Sequence, residues 1–99
     1  MSRSRRPPRR AVVEHDARLD ILCCLDPDES MAIAQVSTRT GIHPTLTKHH
    51  INILDAFSLV GKKEEEGGQA FYVARLDEQP DWVREAVETH RSAERRDGN

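Results

Sequence analysis

The central part of the chain, residues 33–76, carries turn signals that divide it into two helical patterns followed by two strand patterns. The first helical pattern ends at Gly41, a residue that suits the left-handed cap at the end of a helix. The second begins near Pro44, whose fixed φ suits the first helical position. Two β-rich runs then flank Gly67 and Gly68, which fit the positive-φ turns that hairpins prefer. The order helix, turn, helix and hairpin restricts a short chain to few folds.

The spacing of apolar residues sets approximate element boundaries along the chain. It predicts a first helix over residues 12–25, a short strand at 30–31, helices over 32–40 and 44–57, strands over 59–65 and 69–76, and a last helix over 80–95. Pro7 and Pro8 exclude a helix near the start, so residues 1–10 are expected to form a disordered basic arm. Residues 11–96 then form a single domain, and residues 97–99 a frayed tail.

Length and composition exclude several classes of protein. A chain of 99 residues makes one small core, with little room for a deep active-site cavity. The sequence has no glycine-rich phosphate loop, no nucleophile elbow and no convergent carboxylate pair, so we expect neither an enzyme nor a bound cofactor.

No apolar run approaches the roughly 18–20 residues of a membrane span, and no apolar segment of a secretory signal follows the basic N-terminus. Cys23 and Cys24 are adjacent and cannot build a disulfide framework, which favours the reducing cytoplasm.

The charge is distributed unevenly along the chain. The net charge is −2, but the first ten residues carry the arginines Arg3, Arg5, Arg6, Arg9 and Arg10. Residues 11–99 hold the remaining ten basic and all 17 acidic side chains, a net charge of −7. Because a body this acidic does not bind polyanions in general, a nucleic-acid surface would have to be local. Residues 30–63 supply such a surface, with Asp55 alone opposing Arg39, Lys48, Lys62 and Lys63.

Residues 41–51 read G-I-H-P-T-L-T-K-H-H-I and are followed by Leu54 and by Leu59-Val60. With the segment from Glu66 to Leu76, this order resembles the turn, recognition helix and wing of the winged-helix repressors of the ArsR type, and more loosely of the MarR type. The resemblance covers about residues 18–76. It implies a mainly α fold with a small β-hairpin, namely a winged helix-turn-helix with a three-helix core, a wing and a C-terminal helix. It also implies a homodimeric, DNA-binding repressor whose partner is double-stranded DNA.

The resemblance assigns roles to the polar residues of this region. The outward side chains of the recognition helix include Asp55 and four residues that would contact base edges in the major groove, namely Thr45, Lys48, His49 and Asn52. Three basic residues would hold phosphates, which position a protein without reading sequence, and these are Arg39, Lys62 and Lys63. The arginine arm would add salt-sensitive affinity by pairing with phosphates or by entering a minor groove. His50 is expected to be a half-buried structural residue between helices.

Departures from the family's pattern affect both halves of the motif. His43 takes the place of a serine N-cap, and the loss of such a cap costs about 1 kcal/mol. Thr47 replaces an apolar residue, so its hydroxyl should bond back to a carbonyl in the preceding turn. The wing tip carries Glu64, Glu65 and Glu66 where the family often has arginine, and phosphates would repel these carboxylates. An alternative function is therefore a winged-helix protein-interaction module whose acidic wing engages a basic partner.

Metal sensing is a further alternative, because many ArsR relatives sense thiophilic metals. Neighbouring helical residues point about 100° apart, so Cys23 and Cys24 cannot readily chelate one tetrahedral ion without other ligands. We therefore expect no metal site. A redox role of the two thiols stays open as an alternative, and the small-molecule or metal effector is unknown.

The last helix carries an apolar stripe made of Trp82, Val83, Ala86 and Val87. A three-helix unit with a wing can close without this helix, so two copies are expected to pair through it and through the first helix. A twofold dimer would present two recognition helices to half-sites about one helical turn apart, ~34 Å.

Overall fold

The fold is seen in a computed structural model that describes residues 9–25 and 29–97, apart from the side chains of residues 9, 64–66 and 94–97. Its helices are α1 (Arg9–Val13), α2 (Asp16–Cys24), α3 (Ile33–Thr40), α4 (Pro44–Ala56) and α5 (Asp81–Asp97), with a 3-10 turn at Leu76–Glu78. Its strands are β1 (Met31–Ala32), β2 (Val60–Glu66) and β3 (Gln69–Ala74). None of these helices has both the length and the apolar character that crossing a membrane requires.

The predicted single helix over residues 12–25 is wrong, because the chain forms two helices there, α1 and α2, with a break at residues 14–15. His15 has extended backbone angles, φ −134° and ψ 122°, and its Nδ1 accepts a hydrogen bond from the Ala17 N–H at 3.2 Å. This side chain therefore caps one of the free N–H groups at the start of α2. The fully buried Val12 and Val13 hold α1 against the core.

Three residues of the predicted arm and tail, at positions 9, 10 and 97, belong to helices. Helix α1 begins at Arg9, so Arg9 and Arg10 belong to a helix, and Arg10 pairs with Glu14 at 3.1 Å. Residues 1–8, which include Arg3, Arg5 and Arg6, lie outside the described residues. Helix α5 includes residue 97, and the last two residues also lie outside the description.

The three strands form one antiparallel sheet in the order β1-β3-β2. Val60 pairs with Ala74 and Lys62 with Tyr72, and the register shifts between Lys62 and Glu65. Both residues of the hairpin loop have positive φ, 58° at Gly67 and 80° at Gly68. Glycine adopts such angles without steric cost, and the two-residue loop matches the twist of the strands. The glycine pair therefore fixes the wing hairpin as predicted.

The turn between α3 and α4 is held by hydrogen bonds, two of which converge on the Ile42 carbonyl. Gly41 is left-handed, with φ 78°, and its N–H donates to the Ser37 carbonyl at 2.8 Å. The Ile42 carbonyl accepts from the Ser37 hydroxyl at 2.5 Å and from the Thr47 hydroxyl at 3.2 Å. The expected bond from Thr47 back to a preceding carbonyl is confirmed. Because Ser37 of α3 and Thr47 of α4 donate to the same Ile42 carbonyl, the two bonds fix α4 relative to α3.

One apolar core lies between the helices and the sheet. Its fully buried side chains are Val12, Val13, Ile21, Leu22, Leu25, Val36, Ile51, Leu54, Leu59, Val60, Val83 and Val87. Burying one such side chain contributes about 1.5–3 kcal/mol. Because α4 gives Ile51 and Leu54 to this core, its opposite face is directed to solvent. The chain therefore has the expected winged helix-turn-helix fold, mainly α with a small antiparallel sheet and a C-terminal helix.

Candidate nucleic-acid interface

Helix α4 presents a mainly polar face to solvent. Its four predicted groove-contact residues are all exposed, namely Thr45, Lys48, His49 and Asn52. Its inward side chains are buried, namely Thr47, His50, Ile51 and Leu54. The exposed groups include amide, ammonium and imidazole donors, which can pair with base edges or phosphate oxygens. The helix therefore offers hydrogen-bonding groups on one side and is anchored on the other.

The start of α4 is capped by a histidine. Nδ1 of His43 accepts a hydrogen bond from the Thr45 N–H at 3.1 Å, and Pro44 occupies the first turn. The expectation that His43 leaves the helix without a cap is therefore wrong. An imidazole nitrogen lies at the end of a short side chain, so it can reach the free N–H as a serine oxygen would.

A polar contact joins α4 to α2 behind the exposed face. The Arg18 guanidinium donates from Nε to Nδ1 of His50 at 3.2 Å, and from Nη1 to the Val12 carbonyl at 3.2 Å. The ring of His50 also lies 4.9 Å from that of His15 and 5.5 Å from that of His49, measured between centroids.

The chemistry of this contact requires a neutral His50 ring. Burial lowers the pKa of His50, and the positive charge of Arg18 lowers it further, followed by His15 and His49. His50 retains 8% exposure and accepts from a cation, so it acts as a link between helices and not as a groove contact. This agrees with the structural role expected for it.

The predicted phosphate contacts do not all lie together. Lys62 and Lys63 are exposed on β2, beside a cavity of about 400 Å³ at the base of the wing. Arg39 is also exposed, but it lines cavities with residues of α2, β1 and α5, such as Cys24, Met31 and Arg91. The structure therefore groups the two lysines with the wing and separates Arg39 from the exposed face of α4.

Sequence reasoning missed a third cation at the wing. Arg75 lines the same cavity as Lys62 and Lys63, and its Nη1 lies 3.5 Å from a carboxylate oxygen of Glu78. Its guanidinium packs over Gly61, where an added Cβ would lie 2.3–2.6 Å from the guanidinium atoms. A glycine inside a strand often marks such a close approach, so Gly61 was the available signal.

The acidic wing tip is described only in its backbone. Glu65 pairs with Ala70 and Glu66 with Gln69 next to the glycine turn. The side chains of residues 64–66 lie outside the described part. The predicted effect of their carboxylates on DNA binding remains a prediction from the sequence.

The apolar stripe of α5 divides between the interior and the surface. Val83 and Val87 have exposed fractions of 0% and 1% in the single chain, so their side chains cannot also contact a second copy. Trp82 and Ala86 are half-buried and line a cavity of about 560 Å³ between α1, α2 and α5. The Arg10 guanidinium lies 4.5 Å above the Trp82 ring. Val83 and Val87 therefore belong to the core of the single chain, and Trp82 and Ala86 are the residues of the stripe that remain at the surface.

The two cysteines make separate contacts. Cys23 Sγ lies 3.5 Å from the Val87 carbonyl, and Cys24 Sγ lies 3.8 Å from the Met31 sulfur. Burial raises the pKa of the Cys24 thiol, and the Arg39 charge opposes this shift. Among the side chains that the structure describes, no three histidine, cysteine or acidic groups are arranged to hold a metal ion.

Solved structures of several transcriptional regulators share the fold of this chain. A predicted DNA-binding transcriptional regulator from E. coli is 18% identical, with a TM-score of 0.66 over 84% of this chain and 82% of that one. HlyU, a transcriptional regulator from Vibrio vulnificus, is 17% identical, with a TM-score of 0.64 over 84% and 80%. The homodimeric winged helix-turn-helix DNA-binding domain of Mb0332 from Mycobacterium bovis is 20% identical, with a TM-score of 0.61 over 93% and 91%. Likeness at these identities establishes the fold. No protein-family model and no curated protein matches the chain.

Proposed function

We propose that this chain is a sequence-specific, DNA-binding transcriptional regulator of the ArsR-like type. It acts as a homodimer and represses transcription by occupying an operator. The observation that carries the proposal is the exposed polar face of α4, which projects from a helix-turn-helix whose other side is locked into the core. A helix presented in this way has the width and the donor groups that fit the major groove.

The polar contacts that anchor α4 support the proposal that its exposed face reads DNA bases. The His43 cap, the Thr47 hydroxyl and the Arg18–His50 contact fix the start, the inner face and the flank of this helix. Base edges are read only when donors are held in register with them, because a mispaired donor loses its bond to water.

The wing cations supply the contacts that do not depend on sequence. Lys62, Lys63 and Arg75 line one cavity at the base of the hairpin together with Asp77 and Glu78, and we assign phosphate contacts to the three cations. Arg3, Arg5 and Arg6 would add to this attraction from the N-terminal segment. We leave Arg39 out of this set because its side chain lies on the α2 and α5 side of α3.

A second copy would cover the surface formed by α1 and α5. Trp82 and Ala86 are the members of the α5 stripe that retain exposed area, and they face a cavity of about 560 Å³. The Mb0332 domain, which has the same fold, is homodimeric. A twofold dimer through this surface would direct two α4 helices to successive major grooves on one side of the duplex.

A binding titration tests the proposed function. The full chain is titrated against genomic DNA fragments, including its own upstream region, at increasing salt concentration. We expect one preferred fragment. The Lys48→Ala/Asn52→Ala variant should lose that preference because it lacks groove contacts.

The matched control is Lys63→Ala, which removes the same charge as Lys48→Ala but from the wing. It should weaken binding to all fragments alike and reduce the salt slope by about 1. Uniform weak binding that disappears when residues 1–8 are deleted would overturn the proposal. It would leave only electrostatic attraction and favour the protein-interaction alternative.

A further inference from the structure

Leu46 is an apolar side chain in a polar surface. Among the side chains that the structure describes, it is the large apolar group that is exposed, with an exposed fraction of 53%. The neighbouring apolar residues of this region, Ile42 and Ile53, pack against the core. Leu46 does not belong to that core or to the side chains packed against it.

The fold gives no reason for leucine at this position. Leu46 lies in the first turn of α4, and its intrinsic helix preference is matched by polar residues such as glutamine, lysine or glutamate. Its neighbours on the exposed surface are Thr45 and, one turn further along, His49, since residues three apart share a helix face. The apolar group is therefore set among the side chains proposed to contact bases.

We infer that Leu46 contacts the C5-methyl group of a thymine in the operator, an inference that rests on the proposed function. On the base edges of the major groove, thymine carries the only apolar group, and the other positions present hydrogen-bond donors or acceptors. A leucine placed against a donor or an acceptor would remove water from it and return no hydrogen bond. Leu46 therefore favours thymine over cytosine, which carries a hydrogen atom at C5 in place of the methyl group.

The chemistry of the surrounding surface selects DNA as the partner of this leucine. An isolated leucine beside Thr45 and His49 is not a continuous apolar patch of the kind that binds a protein or a lipid. The hydroxyl and imidazole groups beside it fit phosphates and base edges, while the leucine fits a methyl group.

A uracil scan of the preferred DNA fragment tests the inference. Each thymine is replaced in turn by deoxyuridine, which removes one methyl group and keeps the base pairing. One position in each half-site should lose about fourfold in affinity, as expected for uncovering one methylene-sized group. Leu46→Ala should lose a similar factor on the thymine fragment and show no further loss at that uracil position.

Two comparisons make the result specific. Asn52→Ala, on the same exposed face, should weaken binding but keep the full penalty for uracil. Thermal unfolding of Leu46→Ala should match the parent because the side chain is exposed.

The inference would be overturned if the parent binds a preferred fragment and Leu46→Ala binds it with unchanged affinity. It would also be overturned if replacing thymine by uracil lowers the affinity of Leu46→Ala and of the parent equally. A shift in the dimer population of Leu46→Ala without any change in base preference would also overturn it, in favour of a protein contact. The absence of any preferred fragment for the parent would instead overturn the proposed function, and the inference with it.

Discussion

The Nε–H group of Arg18 donates a hydrogen bond to Nδ1 of His50 over 3.2 Å, and this contact joins α2 to α4. The same guanidinium donates to the Val12 carbonyl at the end of α1. One side chain therefore ties three helices together behind the exposed face of α4. The bond requires that His50 keep its Nδ1 lone pair, which connects the packing of these helices to pH.

We expect the free energy of unfolding to decrease at mildly acidic pH. Burial, and then the charge of Arg18, lower the pKa of His50 in the folded chain. In the unfolded chain the ring regains its ordinary pKa of about 6.5. As pH falls below about 6.5, His50 binds a proton in the unfolded chain but not in the folded chain, and this stabilises the unfolded chain. The free energy of unfolding therefore decreases between about pH 6.5 and the lower pKa of His50 in the folded chain.

Urea unfolding at pH about 7.5 and about 5.5 measures this dependence. His50→Asn is the matched variant, since its side-chain oxygen can accept from Arg18 near the position of Nδ1 and does not titrate. The variant should lose less stability than the parent over the same interval. An equal loss in both proteins would assign the pH dependence to other groups.

Replacing the cap of α4 separates stability from DNA binding. His43→Ala should cost about 1 kcal/mol in urea unfolding, since the Thr45 N–H loses its acceptor. His43→Asp restores a strong capping acceptor, so its stability should equal or exceed that of the parent. Its DNA affinity should nevertheless fall, because a carboxylate at the start of α4 would face the phosphates. Parental affinity in His43→Asp would place the start of α4 away from the duplex.

The two hydroxyls on the Ile42 carbonyl should substitute for one another. Thr47→Val keeps the shape of a buried side chain and removes one donor, while the Ser37 hydroxyl still satisfies the carbonyl at 2.5 Å. Each single variant, Thr47→Val or Ser37→Ala, should therefore cost less than about 1.5 kcal/mol. The double variant leaves that carbonyl without either hydroxyl donor and should exceed the sum of the two single costs. Urea unfolding of all four proteins measures the coupling, and additive costs would show that the two bonds are independent.

A charge in the α5 surface should separate the two copies. Ala86→Glu places a carboxylate where Trp82 and Ala86 are proposed to meet the second copy, and a buried unpaired charge strongly opposes association. Sedimentation should show a monomer, and affinity for a two-half-site fragment should fall because the sites are no longer bound together. Thr38→Glu adds the same charge on exposed α3 and should remain dimeric. A dimeric Ala86→Glu protein would move the interface elsewhere.

Turn residues made most of the fold predictable from the sequence. Pro44 has a fixed φ, and Gly41 and the Gly67–Gly68 pair adopt positive φ without steric cost, so the positions of α3, α4 and the wing followed from local chemistry. The break at His15 could not be predicted in the same way. Histidine is a less common cap, and its role depends on the Ala17 N–H being free.

The site was less predictable because burial depends on tertiary packing. Val83 and Val87 belong to the same periodic stripe as Trp82, and periodicity alone cannot tell a surface shared with a second copy from one shared with α2 and the core. The exposed position of Leu46 and the direction of Arg39 likewise depend on how helices pack. Spacing identified the exposed polar residues of α4 but not the apolar one among them.

Histidine nitrogens hold this helix-turn-helix at three points. Nδ1 accepts a hydrogen bond in His15 at the start of α2, in His43 at the start of α4, and in His50 between those helices. A neutral ring that accepts at Nδ1 carries its hydrogen on Nε2, so all three share one tautomer. At His50 the hydronium ion competes with the Arg18 donor for the Nδ1 lone pair, so a single species in solution acts on the contact that holds α4 against α2.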